Sequence, residues 1–272
     1  MSRNHASRAR QGRNVSGSTV SNRKALSQNF LADPRIARRL VEASGVGPAD
    51  LVVEAGPGDG MVTRPLLAKA RRVIAYEKDR HFAERLRSRL GHHEHFHCHL
   101  GDFRDARPPR EPFAVVANAP FGITTDIVRW CLSARTLTAA TLVTQLEFAR
   151  KHTGDFGRWS RLTVANWPEW RFDLGMRIGR GDFRPVPSVD AAVLRLQRRS
   201  EPLLPEVDLR DYRDLVELGF SGVGGSLAAS LRRAVPSRLA HRACAEAGIP
   251  RDRPVGLVPP DRWIALFAAL GR

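Results

Sequence analysis

The sequence predicts an α/β fold, a mostly parallel sheet with helices on both faces, followed by a small all-helical C-terminal domain. Three observations carry this. Short apolar runs alternate with helix-period segments between residues 51 and 197, glycines cluster directly after the first run, and the alternation stops after Arg199. At 272 residues the chain suffices for one large core, or one core with a small satellite domain.

Asp33-Pro34 opens a helix, since Asp accepts at the N-cap and Pro suits the first turn, and Ile36, Leu40, Val41 and Ala43 form its expected apolar face. Residues 51–54 read as the first strand, and a glycine turn leads into a helix through Val62, Leu66 and Leu67. A second strand at 72–77 precedes a helix at 79–90. Further strands are expected at 95–100, 113–117, 140–145 and 191–197. A proline-bearing linker, Glu201-Pro202 to Pro205, then gives way to helical spacing through Leu209, Tyr212, Leu215, Val216 and Phe220, and again through Trp263, Leu266, Phe267 and Leu270. The expected division is a disordered basic arm at 1–24, an α/β domain at 25–200 and a small helical domain at 201–272. No internal repeats are visible.

A net charge of +16 implies a polyanionic partner, with nucleic acid the first candidate. Nearly all the positive charge is arginine, because the only lysines are Lys24, Lys69, Lys78 and Lys151. Arginine forks onto phosphate and stacks on bases, which suits RNA, although arginine-favouring codon usage produces the same bias. Cys98, Cys131 and Cys244 are unevenly spaced without a C-x-x-C, which excludes a disulfide scaffold and a zinc ribbon and fits a reducing cytoplasm. No apolar run approaches a membrane span, and the start shows no signal-peptide core.

Gly56, Gly58 and Gly60 sit between a strand and a helix, where the chain turns tightly and a ligand can approach the backbone. The spacing is neither the G-x-G-x-x-G of dinucleotide enzymes nor a P-loop. Glu77, at the end of the next strand, lies where a ribose diol would be gripped. Glu54 and Asp59 add negative charge, which suits a sulfonium and an α-amino group better than a pyrophosphate. Asp102, in Gly101-Asp102-Phe103, offers a carboxylate to an adenine amino group, or equally caps the following turn.

Asn118-Ala119-Pro120-Phe121 follows the fourth apolar run. An exocyclic amine on adenine is a poor nucleophile, because its lone pair is delocalised into the ring. If Asn118 Oδ1 and a main-chain carbonyl in the 119–120 segment accept its two hydrogens, the nitrogen is held for attack. Pro120 would fix the backbone and Phe121 would stack on the base. The same four residues also describe a strand ending in a proline turn with Phe121 in the core.

Taken in order, these motifs resemble those of the rRNA adenine N6-methyltransferases, and within them the Erm type that confers macrolide resistance, related to the KsgA/Dim-type dimethyltransferases. Ser27-Gln28-Asn29-Phe30-Leu31 matches the family's N-terminal element, while Gln145-Leu146-Glu147-Phe148-Ala149, Gly157-Arg158-Trp159-Ser160 and 183–190 match its later blocks. The resemblance is strong over about 25–200 and weak in the tail. It implies a Rossmann-like class I methyltransferase sheet using S-adenosylmethionine, held by Asn29, Leu31, Gly56, Gly58, Glu77, Asp102 and Asn118. It assigns catalysis and base handling to Asn118, Pro120 and Phe121, with Phe183 closing over the target adenine. The implied substrate is one adenine of 23S rRNA, free or in a precursor of the large subunit, and the implied enzyme is a cytoplasmic monomer. Its product would resist macrolide, lincosamide and streptogramin B antibiotics.

This chain departs from the family at Ala119, where a larger aliphatic residue is usual, and at 222–225, where relatives place a basic residue. Arg232, Arg233, Arg238 and Arg242 are candidate substitutes. Rival readings are a small-subunit rRNA adenine dimethyltransferase, a non-enzymatic RNA-binding factor on the same fold and a DNA adenine methyltransferase. His93, His95, His97 and His99 alternate as in a strand and are expected to face solvent without a metal role. Trp159, Trp167 and Trp170 are expected to pack rather than to form an RNA platform.

Overall fold

A computed structural model of the chain describes residues 29–222 and 225–271. The basic arm at 1–24 and Val223-Gly224 lie outside the described residues. In chain order the elements are β1 (Phe30–Leu31), α1 (Pro34–Ser44), β2 (Leu51–Ala55), α2 (Thr63–Leu67), β3 (Arg72–Glu77), α3 (Arg80–Leu90), β4 (Phe96–Leu100), β5 (Phe113–Asn118), α4 (Thr124–Ser133), β6 (Leu137–Gln145) and α5 (Leu146–Thr153). There follow α6 (Arg161–Asn166), β7 (Trp170–Ile178), β8 (Phe183–Arg184), β9 (Ala191–Arg198), α7 (Leu209–Phe220), α8 (Leu227–Leu231), α9 (Ser237–Glu246) and α10 (Pro260–Ala269).

The main sheet has the order β4-β3-β2-β5-β6-β9-β7. Strands β2 to β6 run parallel, and β9 is antiparallel to both β6 and β7. Every residue of β2 is buried, because side chains of alternating parity enter two different cores. Val52 joins the cluster containing Leu40, Leu66 and Leu86 of α1 to α3, whereas Leu51 and Val53 join the one containing Ile127 and Ala149 of α4 and α5. A central parallel strand covered on both faces reads as a continuous apolar run, which is why the sequence reveals it.

The helix at α1 begins as expected, with Asp33 accepting from Arg35 N, but its buried face is Ala37, Leu40 and Val41, while Ala43 is exposed. A nine-residue strand, β7, was not expected. It forms the sheet edge beside β9, and its alternation of Trp170 and Phe172 with Arg171 and Asp173 is broken by a register shift between Leu174 and Arg177. Trp170 is fully buried and carries the Arg198 guanidinium 4.4 Å from its ring centroid. Trp159 and Trp167 pack edge to face at 5.6 Å. Strand β4 spans only 96–100, so His97 and His99 share its exposed face while His93 and His95 lie in the preceding turn.

The helices from α7 onward close a third apolar cluster around Tyr212, Trp263 and Phe267. Val164 of α6 is buried in it too, and Tyr212 Oη donates to the Val164 carbonyl at 3.0 Å. Trp167 Nε1 donates to Asp261 Oδ1 at 2.7 Å, which seats α10 against the same region.

Candidate active site

The C-terminal ends of β2, β3, β4 and β5 converge on a cavity of about 310 Å³. Open α/β sheets bind ligands at that edge, where strand ends leave loops free to carry side chains. Of the residues expected at the site, Asn29, Gly56, Gly58, Glu77, Asp102, Asn118 and Pro120 line the cavity together.

The loop after β2 needs its glycines. Gly56 and Gly58 have φ of +67° and +54°, the left-handed region that favours glycine. A Cβ at Gly56 would lie 3.2 Å from Pro120 Cγ, and one at Gly58 only 2.4 Å from Phe30 Cε1. The loop is thus wedged between the segment after β5 and the aromatic ring of β1.

Glu77 ends β3 with its carboxylate turned to this loop. Oε2 accepts from Gly58 N at 3.0 Å and Oε1 from Asp79 N at 2.8 Å, which fills two of its four acceptor positions. Burial pushes its pKa above the ordinary carboxylate value, against the pull of those amides. Glu54 behaves differently from expectation. It is buried, accepts from Thr63 Oγ1 at 2.7 Å, lies outside the cavity lining and is pushed up to about 8 by desolvation. Asp59 pairs with Arg85 at 3.0 Å. Neither residue lines the cavity, so Glu77 and Asp102 are its acidic groups among the described residues.

Asp102 caps the short turn at Phe103–Asp105. Oδ1 accepts from Arg104 N and Nε, both at 3.0 Å, while Oδ2 accepts from Lys78 Nζ at 3.0 Å and Arg104 Nη2 at 2.7 Å. The Arg104 fork is the main cause holding this carboxyl far below the usual range. All four acceptor positions are in use.

Asn118 ends β5. Its Nδ2 donates to the Asn29 carbonyl at 2.7 Å, while Oδ1 is buried without a hydrogen-bond partner among the described residues. A carbonyl only accepts, so this contact fixes which end of the amide is nitrogen and leaves Oδ1 as the available acceptor. The Pro120 carbonyl is engaged by Ile123 N at 3.1 Å and Thr124 Oγ1 at 3.3 Å.

Leu31, Phe121 and Phe183 lie outside the cavity lining. Leu31 and Phe183 are cross-strand partners on the β1/β8 ribbon, and both are buried. Phe183 has no exposed surface and meets the half-buried Phe121 ring edge to face at 6.2 Å. Phe30, Tyr76, Lys78, Phe103, Arg104 and Ile123 line the cavity without having been singled out. Tyr76, Phe30 and Phe103 each adjoin a residue that was, so adjacency at a strand end was the usable signal. Lys78 and Arg104 gave none, because their role depends on where Asp102 points.

The family described as ribosomal RNA adenine dimethylase matches residues 19–271. An rRNA methyltransferase of Streptomyces thermotolerans is 51% identical over 248 residues, covering 91% of this chain and 83% of that protein. An rRNA adenine N-6-methyltransferase of Saccharopolyspora erythraea is 47% identical over 262 residues, covering 96% of this chain and 69% of the relative. The crystal structure of the 23S rRNA methyltransferase ErmE matches with a TM-score of 0.85 and 47% identity, covering 90% of this chain and all 100% of that one. With its loop glycines, strand-end acids and Asn118 gathered at one sheet edge, this chain belongs to the ribosomal RNA adenine dimethylase family.

Proposed function

We propose that the chain methylates N6 of one adenine in 23S rRNA with S-adenosylmethionine, and thereby gives resistance to macrolide, lincosamide and streptogramin B antibiotics. The observation that carries this reading is the buried, unpartnered Oδ1 of Asn118 at the rim of a cavity built from glycine turns and two acids.

The residues present fit the cofactor. The acceptor capacity left on the Glu77 carboxylate suits a ribose diol, and the loop of Gly56 and Gly58, packed tightly against Pro120 and Phe30, lines the same cavity. Asp102 would take the adenine amino group in exchange for one of the side-chain donors it now holds, from Lys78 or Arg104, and Tyr76, Phe103 and Ile123 supply apolar walls. When bound, S-adenosylmethionine supplies an electrophilic methyl carbon and a good leaving group.

The chain's own residues position the nucleophile. Asn118 Oδ1 accepts one N6 hydrogen, and because the Pro120 carbonyl is engaged, the Ala119 carbonyl is the acceptor for the other. Both contacts turn the nitrogen lone pair out of conjugation with the ring. Phe121 stacks on the extruded base, with Phe183 behind it. Held in this way N6 would be the nucleophile for that methyl carbon, and the proton it sheds on methylation would pass to water. No side chain is required as a dedicated base. The arm at 1–24, the helical part at 201–272 and the arginine-rich surface hold RNA through phosphates, with salt-sensitive affinity. The enzyme acts as a cytoplasmic monomer on 23S rRNA or a precursor of the large subunit.

Incubation with labelled S-adenosylmethionine and each rRNA separately, followed by primer extension, tests the reading. Label confined to one adenine of the 23S transcript is expected, with a primer-extension stop there where both N6 hydrogens are replaced. Modification confined to the small-subunit rRNA, or to neither, would overturn it.

A further inference from the structure

Phe156, in the loop between α5 and α6, has a φ of +57°, the one non-glycine residue with positive φ among those described. That backbone crowds Cβ in a bulky L-residue, whereas glycine or asparagine adopts it with less strain. The side chain is also 75% exposed, so burial offers no compensation. Folding alone would not favour phenylalanine here, and strain held at one site is a reason to look for function.

The surrounding loop is braced. Phe156 N donates to Asp155 Oδ1 at 3.0 Å, and Gly157 N to the Gly154 carbonyl at 3.0 Å. Gly154, at φ +75°, lies so close under the Trp159 indole that a Cβ there would fall 2.3 Å from it. Below the loop, His152 Nδ1 and Ser160 Oγ meet at 2.7 Å, and Thr163 Oγ1 donates to the His152 carbonyl at 2.9 Å. The loop therefore presents its ring on a fixed base. Arg150 lies 5.1 Å from the ring centroid and is held there by Glu147 at 3.1 Å and Asp155 at 2.9 Å. Lys151 and Arg158 are exposed and form no ion pair among the described residues. None of these residues lines the methyl-transfer cavity.

We infer that Phe156 is a base-stacking post for RNA outside the active site: the Arg150 guanidinium backs one ring face, an unpaired base stacks on the other, and Lys151 and Arg158 meet the flanking phosphates. Aromatic stacking of this kind tolerates any base, and a guanidinium on the opposite face adds cation–π attraction. The net charge of +16 and the two unpaired cations favour a polyanionic occupant over an acid-poor protein surface. The inference rests on the reading of 23S rRNA as substrate and extends it to a second contact point.

Phe156→Asn and Phe156→Trp test it, with a 23S rRNA transcript as the probe. The Asn variant should raise Kd and KM for RNA about tenfold, the loss appearing in KM rather than kcat. It should keep the Kd for S-adenosylhomocysteine within about twofold and, with the backbone strain relieved, raise Tm by about 2 °C. The Trp variant should bind RNA within about twofold of wild type. Lys151→Ala and Arg158→Ala should each reduce the salt slope of RNA binding by about one. Equal RNA affinity of wild type and the Asn variant, with wild type methylating the transcript, would overturn the stacking post alone. A wild type that leaves the transcript unmethylated would overturn the underlying reading, and the post with it.

Discussion

The Asn118 side chain is locked by the main-chain carbonyl of Asn29 across 2.7 Å, so one hydrogen bond from the N-terminal segment orients the amide at the end of β5. The donor end is occupied by protein and the acceptor end, Oδ1, is left for a guest. Asn118→Ala should therefore lower kcat at least 100-fold, the scale on which loss of one oriented polar group acts in catalysis. Circular dichroism should show an intact fold. Near-normal turnover would refute the assignment.

Phe121→Ala removes the expected stacking surface and the edge contact to Phe183. Turnover with RNA should fall at least tenfold while the Kd for S-adenosylhomocysteine changes by less than about threefold. Isothermal titration showing the reverse order of losses would place Phe121 in cofactor binding instead.

Arg104 fills three of the acceptor positions of Asp102, counting its backbone amide. A ligand amino group must displace one of the side-chain donors. Arg104→Ala should accordingly tighten S-adenosylhomocysteine binding by about threefold, since the freed carboxylate no longer has to exchange partners. Weaker binding, read by the same titration, would show that the arginine helps to hold the ligand.

A methyl group at Gly58 would collide with the Phe30 ring, and the positive φ would add strain. Gly58→Ala should weaken S-adenosylhomocysteine binding at least tenfold and cost about 1–2 kcal/mol of stability. A chemical-denaturation midpoint equal to wild type, with normal ligand affinity, would contradict the close packing of loop and ring.

Glu54 is pushed up to about 8 by burial. A carboxyl that holds its proton more tightly when folded than when unfolded stabilises the fold fully below the unfolded value of about 4.3, and that contribution is lost as pH rises through 8. Wild-type Tm should fall between pH 5 and pH 9, and Glu54→Gln should remove part of the fall, with a gain of several degrees at pH 9. Parallel Tm profiles for the two proteins would show that Glu54 is already ionised at neutral pH.

Features governed by neighbouring residues were legible in the chain. The apolar run of β2, the cap at Asp33, the glycine turn and the amide closing β5 each follow from side-chain period, backbone freedom or local chemistry. β7 was missed because Gly175 and the register shift interrupt its alternation before a full strand length can be counted. Ala43 was misplaced because helix period alone does not say which flank of the apolar stripe meets the sheet.

The sequence by itself determined the parallel strands β2 to β6, the later strand β9 and the sheet edge where the acids and Asn118 emerge. Tertiary structure alone decided which of these side chains are free to act. Asn29 orients Asn118, Lys78 and Arg104 saturate Asp102, and Thr63 with burial takes Glu54 out of the site. The reason is physical: hydrogen bonds and desolvation act over a few ångströms of space, and apart from Arg104 on Asp102 these partners are nine to eighty-nine positions apart along the chain.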